Sequence, residues 1–190
     1  SSSEAVTSNQ LKVVFADCDP NNYTISLESL KRKITKDTSA IVVVHLYGHP
    51  ADMNGIKKII KGKNIKIIED CAQSLGALIG SKKTGLIGKV GIFSFYATKL
   101  ITSGGQGGMF VSEDKNLVDQ VRDYREFDCR RDQKERFNFQ MTDIQASIGR
   151  AQLKQLPFFL DRRQEIFTIY KDAGLSLIES KKNTPVHYRA

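Results

Sequence analysis

Long apolar runs, a leader and paired cysteines are missing from this sequence, and each absence excludes a class of protein. The longest apolar runs are short segments such as Ala40–Val44, far below the roughly 20 residues of a membrane-spanning helix. The start, SSSEAVTSNQ, has neither a basic nor an apolar region and so does not predict a signal peptide. Three cysteines without C-x-x-C spacing argue against a disulfide framework or a zinc site. These absences predict a reduced, cytoplasmic protein.

Length and charge exclude further classes of protein. A chain of 190 residues with 40% hydrophobic residues can bury a sizeable core, which excludes disorder as the main state. Its 29 basic and 21 acidic residues give a net charge of +8. The basic residues are scattered and not interleaved with base-stacking aromatics, so we expect neither a nucleic-acid nor a membrane partner. The charge is typical of solvated helix faces and would attract an anionic small molecule.

Short apolar runs alternate with segments of helical periodicity along the chain. The predicted strands are residues 11–15, 40–45, 65–68, 90–96 and 108–111. The predicted helices are residues 26–34, 52–61, 116–127, 143–156 and 161–173. This order predicts the α/β class, with a mostly parallel sheet covered by helices.

Two predicted strand ends carry residues that could do chemistry. Asp70 directly follows one apolar strand, and Lys99 follows another and precedes the glycine-rich residues 104–108. Ligands of open α/β sheets collect beyond the carboxyl ends of the strands, so both side chains are candidates for a site. The alternative is a partly buried ion pair between them. We expect no metal site, because His45 and His49 flank a glycine and are unsuited to share a helix face.

Five segments together resemble a known family. They are HLYGHPADM (45–53), IIEDCAQSLGA (67–77), GIFSFYATK (91–99), GGQGG (104–108) and FNFQMTDIQASIGRAQL (137–153). In order and spacing they resemble the DegT/StrS-type sugar aminotransferases, pyridoxal-phosphate enzymes of the aspartate-aminotransferase fold. The resemblance covers most of the chain, and it implies that this sequence forms the large, cofactor-binding domain of such an enzyme.

The resemblance also implies roles for individual residues. Lys99 stands where the family's Schiff-base lysine stands, an amine that condenses with the cofactor aldehyde and moves a proton. Asp70 matches the aspartate that pairs with the protonated pyridine nitrogen. Gln73 matches the side chain beside the ring hydroxyl, and Ser94 a phosphate-contacting serine. Asn138 matches an asparagine that reaches the phosphate in the neighbouring subunit, which implies a homodimer.

Several positions depart from the family pattern or have no assigned role. Leu100 stands where an asparagine is usual, Gln106 replaces an acid in the glycine-rich loop, and Gln140 replaces an arginine. Lys99 and Asp70 are unchanged, so we expect these departures to affect sugar recognition or the reaction rate. His45 and Tyr47 are expected to line the site.

The resemblance implies a function and a domain division. Residues 1–174 would be a pyridoxal-phosphate-binding large domain, incomplete on its N-terminal side, and residues 175–190 the start of a small C-terminal domain or a tail. The reaction would move an amino group from an amino acid, expected to be glutamate, to a keto group of a nucleotide-linked sugar, as in deoxyaminosugar biosynthesis. One alternative is a non-catalytic or truncated relative with a structural or regulatory role. Another is a related sugar dehydratase, whose members replace the lysine with histidine.

Overall fold

The computed structural model describes residues 2–178 of the chain. Its helices are α1 (Ser2–Thr7), α2 (Leu27–Lys33), α3 (Met53–Ile59), α4 (Lys115–Tyr124), α5 (Asp143–Lys154) and α6 (Leu156–Asp172). Its strands are β1 (Ala40–Val44), β2 (Lys66–Asp70), β3 (Leu78–Ile79), β4 (Lys82–Lys83), β5 (Val90–Ser94) and β6 (Gly108–Val111). None of these helices is long and apolar enough to cross a membrane, a finding limited to the described residues.

Four strands form the main sheet, in the order β1-β2-β5-β6. The first three are parallel, and β6 returns antiparallel to β5. Strands β3 and β4 form a separate two-stranded hairpin. The prediction of a mostly parallel α/β sheet is confirmed.

One face of the sheet carries the core. Alternate residues of β1 and β2 are buried, as expected where side chains alternate between faces. These residues pack with α2 and α3 into one cluster, which contains Leu30, Ile41, Val43, Ala51, Met53, Ile56, Ile65 and Ile67. The two helices approach closely where a Cβ on Gly55 would lie 2.3 Å from the Leu27 side chain. Glycine at that point lets α2 and α3 cover the same face.

Capping side chains explain why three of the predicted helices begin where they do. Ser26 accepts a hydrogen bond from Ser29 N before α2, and Asp52 accepts one from Gly55 N before α3. Thr142 and Gln145 form a reciprocal capping box at the start of α5. The helix starts predicted at 26, 52 and 143 therefore agree with the structure to within a residue or two.

Other sequence predictions are corrected. Residues 11–15 form no strand, because no described segment pairs with them and Leu11, Val14 and Phe15 stay exposed. Helix α6 begins at Leu156, earlier than predicted, since Pro157 fits the first turn, where a backbone N–H has no helical partner. Helix α1 and the β3–β4 hairpin were not predicted. Residues 179–190, most of the predicted small-domain start, lie outside the described residues.

Candidate active site

Strands β1, β2 and β5 end at the same edge of the sheet, and their register sorts the polar side chains by face. Asp70 is paired with Val44 on one side and with Ile92 on the other. Paired residues of neighbouring strands point to the same face, and so does Ser94, two residues after Ile92. The preceding residue, Glu69, points to the opposite face, towards α2 and α3.

Asp70 has an ordered carboxylate on a face that is partly open. Its Oδ2 accepts a hydrogen bond of 2.5 Å from Ser2 Oγ, and its Oδ1 accepts one of 3.0 Å from Ala72 N. A carboxylate has about four lone-pair sites, so it can accept further donors. Val44 and Ile92 beside it are 36% and 43% exposed. A carboxylate between exposed apolar side chains suits a flat, partly apolar ring with a polar edge.

Gln73 lies three residues after Asp70 and is held by the turn that follows β1. Its Oε1 accepts a 3.0 Å hydrogen bond from Tyr47 N. Tyr47 itself has a left-handed backbone conformation, with φ of 54°. The arrangement leaves the amide nitrogen of Gln73 as a donor for a ligand oxygen.

Lys99 and Ser94 belong to the end of β5 and the turn after it. Lys99 is half-buried, and its backbone N–H donates to Tyr96 O at 2.9 Å. Within residues 2–178 no ion pair joins Lys99 to Asp70, so the ion-pair alternative has no support. Ser94 Oγ accepts from Tyr96 N at 3.3 Å, which leaves the hydroxyl hydrogen available for a ligand.

The glycine-rich loop shapes the turn that carries Lys99. Gly104 and Gly105 have φ of 80° and 156°, a region that favours glycine. Gly105 O accepts from Ala97 N at 3.1 Å, which ties the loop to the Lys99 turn. A Cβ on Gly107 would lie 2.2 Å from Ser103 Oγ. Backbone conformation therefore favours glycine at two of these positions, and the Ser103 side chain leaves no room for a Cβ at the third.

A buried network lies on the opposite face, directly behind Asp70. Glu69 is fully buried, and its carboxylate accepts from His45 Nε2 at 2.9 Å. It also accepts from three backbone amides at 2.6–2.9 Å, those of Gly85, Ile87 and Gly88. Burial raises the pKa of Glu69, but these hydrogen bonds outweigh it and leave the pKa below its ordinary value. We call these five residues the Glu69 network.

The network corrects one expectation and reveals residues that the sequence reasoning missed. His45 does not line the site, because it is fully buried on the Glu69 side and its Nδ1 accepts from Ala51 N at 3.0 Å. Glu69 could have been found, because an acid inside an otherwise apolar strand needs partners. Ser2 gave no such signal in a serine-rich start.

Cys71 completes a buried group of potential metal ligands. Ligand atoms of Cys71, His45 and Glu69 lie within 4.8 Å of one another. However, burial raises the pKa of Cys71 to about 12, so that its thiol is protonated at neutral pH, and Ser74 and Thr84 hydrogen-bond it. Because the carboxylate and imidazole are also engaged, we interpret the group as a hydrogen-bonded part of the core. That the chain holds no metal stays a prediction.

Asn138 lies apart from the other predicted site residues. It belongs to the α4–α5 connection, residues 125–142, and its side chain is exposed. No described contact links it to Asp70, Gln73, Ser94 or Lys99. Four of the five predicted residues thus belong to the carboxyl edge of the sheet or the turns next to it, whereas the fifth does not.

The fold defines an α/β protein, and this edge is a candidate ligand site because such folds bind cofactors at the carboxyl ends of parallel strands. The chain belongs to the DegT/DnrJ/EryC1/StrS aminotransferase family, whose sequence profile matches residues 1–189.

Characterised relatives support this membership. GDP-perosamine synthase of Escherichia coli O157:H7 is 38% identical over 176 residues, covering 90% of this chain and 48% of the relative. GDP-4-keto-6-deoxy-D-mannose 3-dehydratase of Yersinia pseudotuberculosis is 34% identical over 185 residues, covering 85% and 47%. The crystal structure of a DegT DnrJ EryC1 StrS aminotransferase from Brucella abortus superposes with a TM-score of 0.85 at 27% identity, covering 97% and 53%. The chain spans about half the length of these relatives.

Proposed function

We propose that the protein to which this chain belongs transfers an amino group from an amino acid, glutamate being the expected donor, to a keto group of a nucleotide-linked sugar, with pyridoxal phosphate as cofactor. The observation that carries this proposal is the placement of Asp70 at the end of β2 and of Lys99 in the turn after the neighbouring strand β5, with no ion pair between them among the described residues. Relatives named as sugar aminotransferases support the substrate class. The protein would act in the cytoplasm.

The residues at the edge fit this cofactor in chemistry. When bound, pyridoxal phosphate supplies an aldehyde that links covalently to amines and a ring that withdraws electrons from the attached carbon. Lys99 would supply the amine and then carry a proton between substrate atoms. Asp70 would hold a proton at the ring nitrogen, with its carboxylate kept in place by Ser2 and Ala72. Gln73 would donate from its amide nitrogen to the ring hydroxyl oxygen.

The phosphate would be bound from two chains. Ser94 would donate its hydroxyl hydrogen to the phosphate in its own chain. Asn138, which is exposed and has no described contact with the edge, would reach the phosphate held by a second copy of the chain. A two-fold dimer makes this exchange reciprocal. Residues 1–174 would form the cofactor-binding large domain, and residues 175–190 the start of a second domain or a tail.

Covalent mapping tests the proposal. The protein should develop a visible absorption band when pyridoxal phosphate is added. Borohydride reduction followed by peptide mapping should then place the pyridoxyl group on Lys99. Lys89→Arg is a matched control, because Lys89 pairs with Asp114 at the surface, away from the edge. Label spread evenly over surface lysines, or equal labelling of a Lys99→Arg variant, would contradict the assignment.

The dehydratase alternative is favoured by a relative of that name and disfavoured by Lys99. The two reactions differ in their products, because a dehydratase removes a hydroxyl group and a transaminase adds an amine. Formation of 2-oxoglutarate from glutamate in step with amino-sugar formation would support transamination. The structural or regulatory alternative predicts no labelling of Lys99 and no turnover.

A further inference from the structure

Arg136 differs from the other charged residues of the α4–α5 connection. The connection contains no helix or strand in the described chain, and its charged residues from 128 to 135 are exposed. The Arg136 side chain, two residues before Asn138, is only 4% exposed. A buried guanidinium in a segment without regular structure needs a reason.

Two carboxylates enclose this guanidinium. Its Nη2 donates to Asp123 Oδ1 at 2.9 Å and Oδ2 at 3.1 Å, and its Nε donates to Asp123 Oδ1 at 3.1 Å. On its other side, Nη1 and Nη2 donate to the two oxygens of Asp132. Asp123 belongs to helix α4, whereas Asp132 belongs to the connection. The Arg136 cluster, as we call these three residues, therefore fastens the connection to a helix.

The backbone on both sides of Asn138 is fixed to the end of α4 as well. Phe137 N donates to Tyr124 O at 2.9 Å, and Phe139 N donates to Arg125 O at 3.1 Å. The rings of Phe137 and Phe139 stack with centroids 5.0 Å apart and an interplanar angle of 4°. Alternate side chains of an extended segment point to opposite sides, so Asn138 points away from the stacked rings. The backbone position of Asn138 is thus held by the hydrogen bonds of both neighbours.

We propose that Arg136 is a positioning residue for Asn138: by fastening the connection to α4, it holds the Asn138 amide ready for the cofactor phosphate of a second copy of the chain. This inference rests on the phosphate role proposed above for Asn138. An amide that is ordered before the ligand arrives loses less conformational freedom on binding. Nothing in this arrangement requires Arg136 to touch the cofactor.

The test compares two cofactor forms that differ only in the phosphate. Arg136→Gln and Asn138→Ala should each weaken binding of pyridoxal phosphate about tenfold, or about 1.4 kcal/mol, and binding of pyridoxal less than about twofold. The double variant should be no weaker than either single variant, because both act through the same amide. Arg136→Lys keeps the charge but not the paired geometry, so it should restore only part of the affinity. Arg131→Gln, an exposed residue of the same connection, should change neither affinity.

A second readout needs no cofactor. In Arg136→Gln, the amide hydrogens of Phe137 and Phe139 should exchange with solvent at least about tenfold faster than in the parent protein. If Arg136→Gln does not fold, Asp123→Asn removes one side of the cluster and should give the same pattern more weakly.

The outcomes separate the two levels of the argument. Full affinity for pyridoxal phosphate in Asn138→Ala would contradict the proposed phosphate role itself. Loss in Asn138→Ala with unchanged affinity in Arg136→Gln would overturn the positioning role alone. Equal loss of pyridoxal and pyridoxal phosphate binding in Arg136→Gln would show a general structural role and also overturn it.

Discussion

Directly behind the carboxyl edge of the sheet, the Glu69 network is held by groups that water does not reach, whereas the Arg136 cluster of the α4–α5 connection lies partly at the surface. Glu69 and His45 are fully buried and bonded to each other and to backbone amides. In the Arg136 cluster the guanidinium is buried, but Asp123 and Asp132 are 37% and 50% exposed. We therefore expect the edge to depend on the folded core, and the connection to be adjustable at little cost to stability.

We expect the largest difference between the two regions in the turnover of variants. Asp70→Asn should lower turnover by several powers of ten, because the variant no longer holds a proton at the ring nitrogen, and each tenfold loss corresponds to about 1.4 kcal/mol of barrier. Asn138→Ala should cost only about tenfold at limiting cofactor, from weaker phosphate binding. Steady-state kinetics across cofactor concentrations distinguish the two losses. Parent-level turnover in Asp70→Asn would return Asp70 to a structural role.

The free energy of unfolding should also fall more for a substitution in the Glu69 network than for one in the Arg136 cluster. Glu69→Gln replaces an acceptor-only oxygen by an NH₂ group that faces N–H donors, so it should lower the free energy of unfolding by about 3 kcal/mol. Asp123→Asn is the matched control in the Arg136 cluster, and it should cost about 1 kcal/mol or less because this carboxylate is partly exposed. Urea denaturation of both variants measures the difference. Equal losses would mean that burial does not distinguish the regions.

The sequence could predict those features of the fold that depend on local signals. Strand 40–45 and the helix starts at Ser26, Asp52 and Asp143 were predictable, because apolar runs and helix-start patterns are local signals. The strand predicted at 11–15 was wrong, because a suitable composition does not supply a pairing partner. The positions of Asp70 and Lys99 followed from strand ends and from motif order.

Contacts between distant residues could not be predicted. Ser2 Oγ reaches Asp70 across 68 residues, and the partners of Glu69 lie 16 to 24 residues away. Arg136 reads as one more exposed cation in a polar stretch, because Asp123 belongs to the preceding helix. Such contacts are set by how the elements pack, so a residue type alone does not reveal them.

Acid pH should lower the free energy of unfolding through carboxylates in both regions, by less than the substitutions above. Glu69 and Asp132 both have lowered pKa values: hydrogen bonds outweigh burial at Glu69, and Arg136 is the main cause at Asp132. A carboxylate with a lowered pKa stabilises the fold fully above its unfolded pKa, about 4, and loses this contribution as pH falls through the folded value. The free energy of unfolding should therefore decline below about pH 4.

High salt should reduce the acid-dependent loss of stability that comes from the Arg136 cluster and leave the loss that comes from the Glu69 network. At about 1 M salt, where the Debye length is about 3 Å, the part removed by Asp132→Asn should shrink because the Asp132 carboxylate is half exposed. The part removed by Glu69→Gln should persist, since the buried network is screened much less. Urea midpoints measured against pH at low and high salt give both parts. A loss that salt abolishes in both variants would contradict the distinction.

Thiol labelling compares the two regions with the least change to the protein, because each region already contains one cysteine. Cys71 is 1% exposed beside the Glu69 network, and burial raises its pKa to about 12, so little thiolate exists at neutral pH. Cys129 is exposed in the α4–α5 connection, and Cys18 is exposed near the start of the chain. An aromatic disulfide reagent at neutral pH should therefore label two thiols quickly and the third only after unfolding. Cys129→Ser should reduce the fast phase to one thiol, whereas Cys71→Ser should leave it at two. Rapid labelling of Cys71 in the folded protein would mean that the edge opens as readily as the connection, which is the opposite of what its buried hydrogen bonds predict.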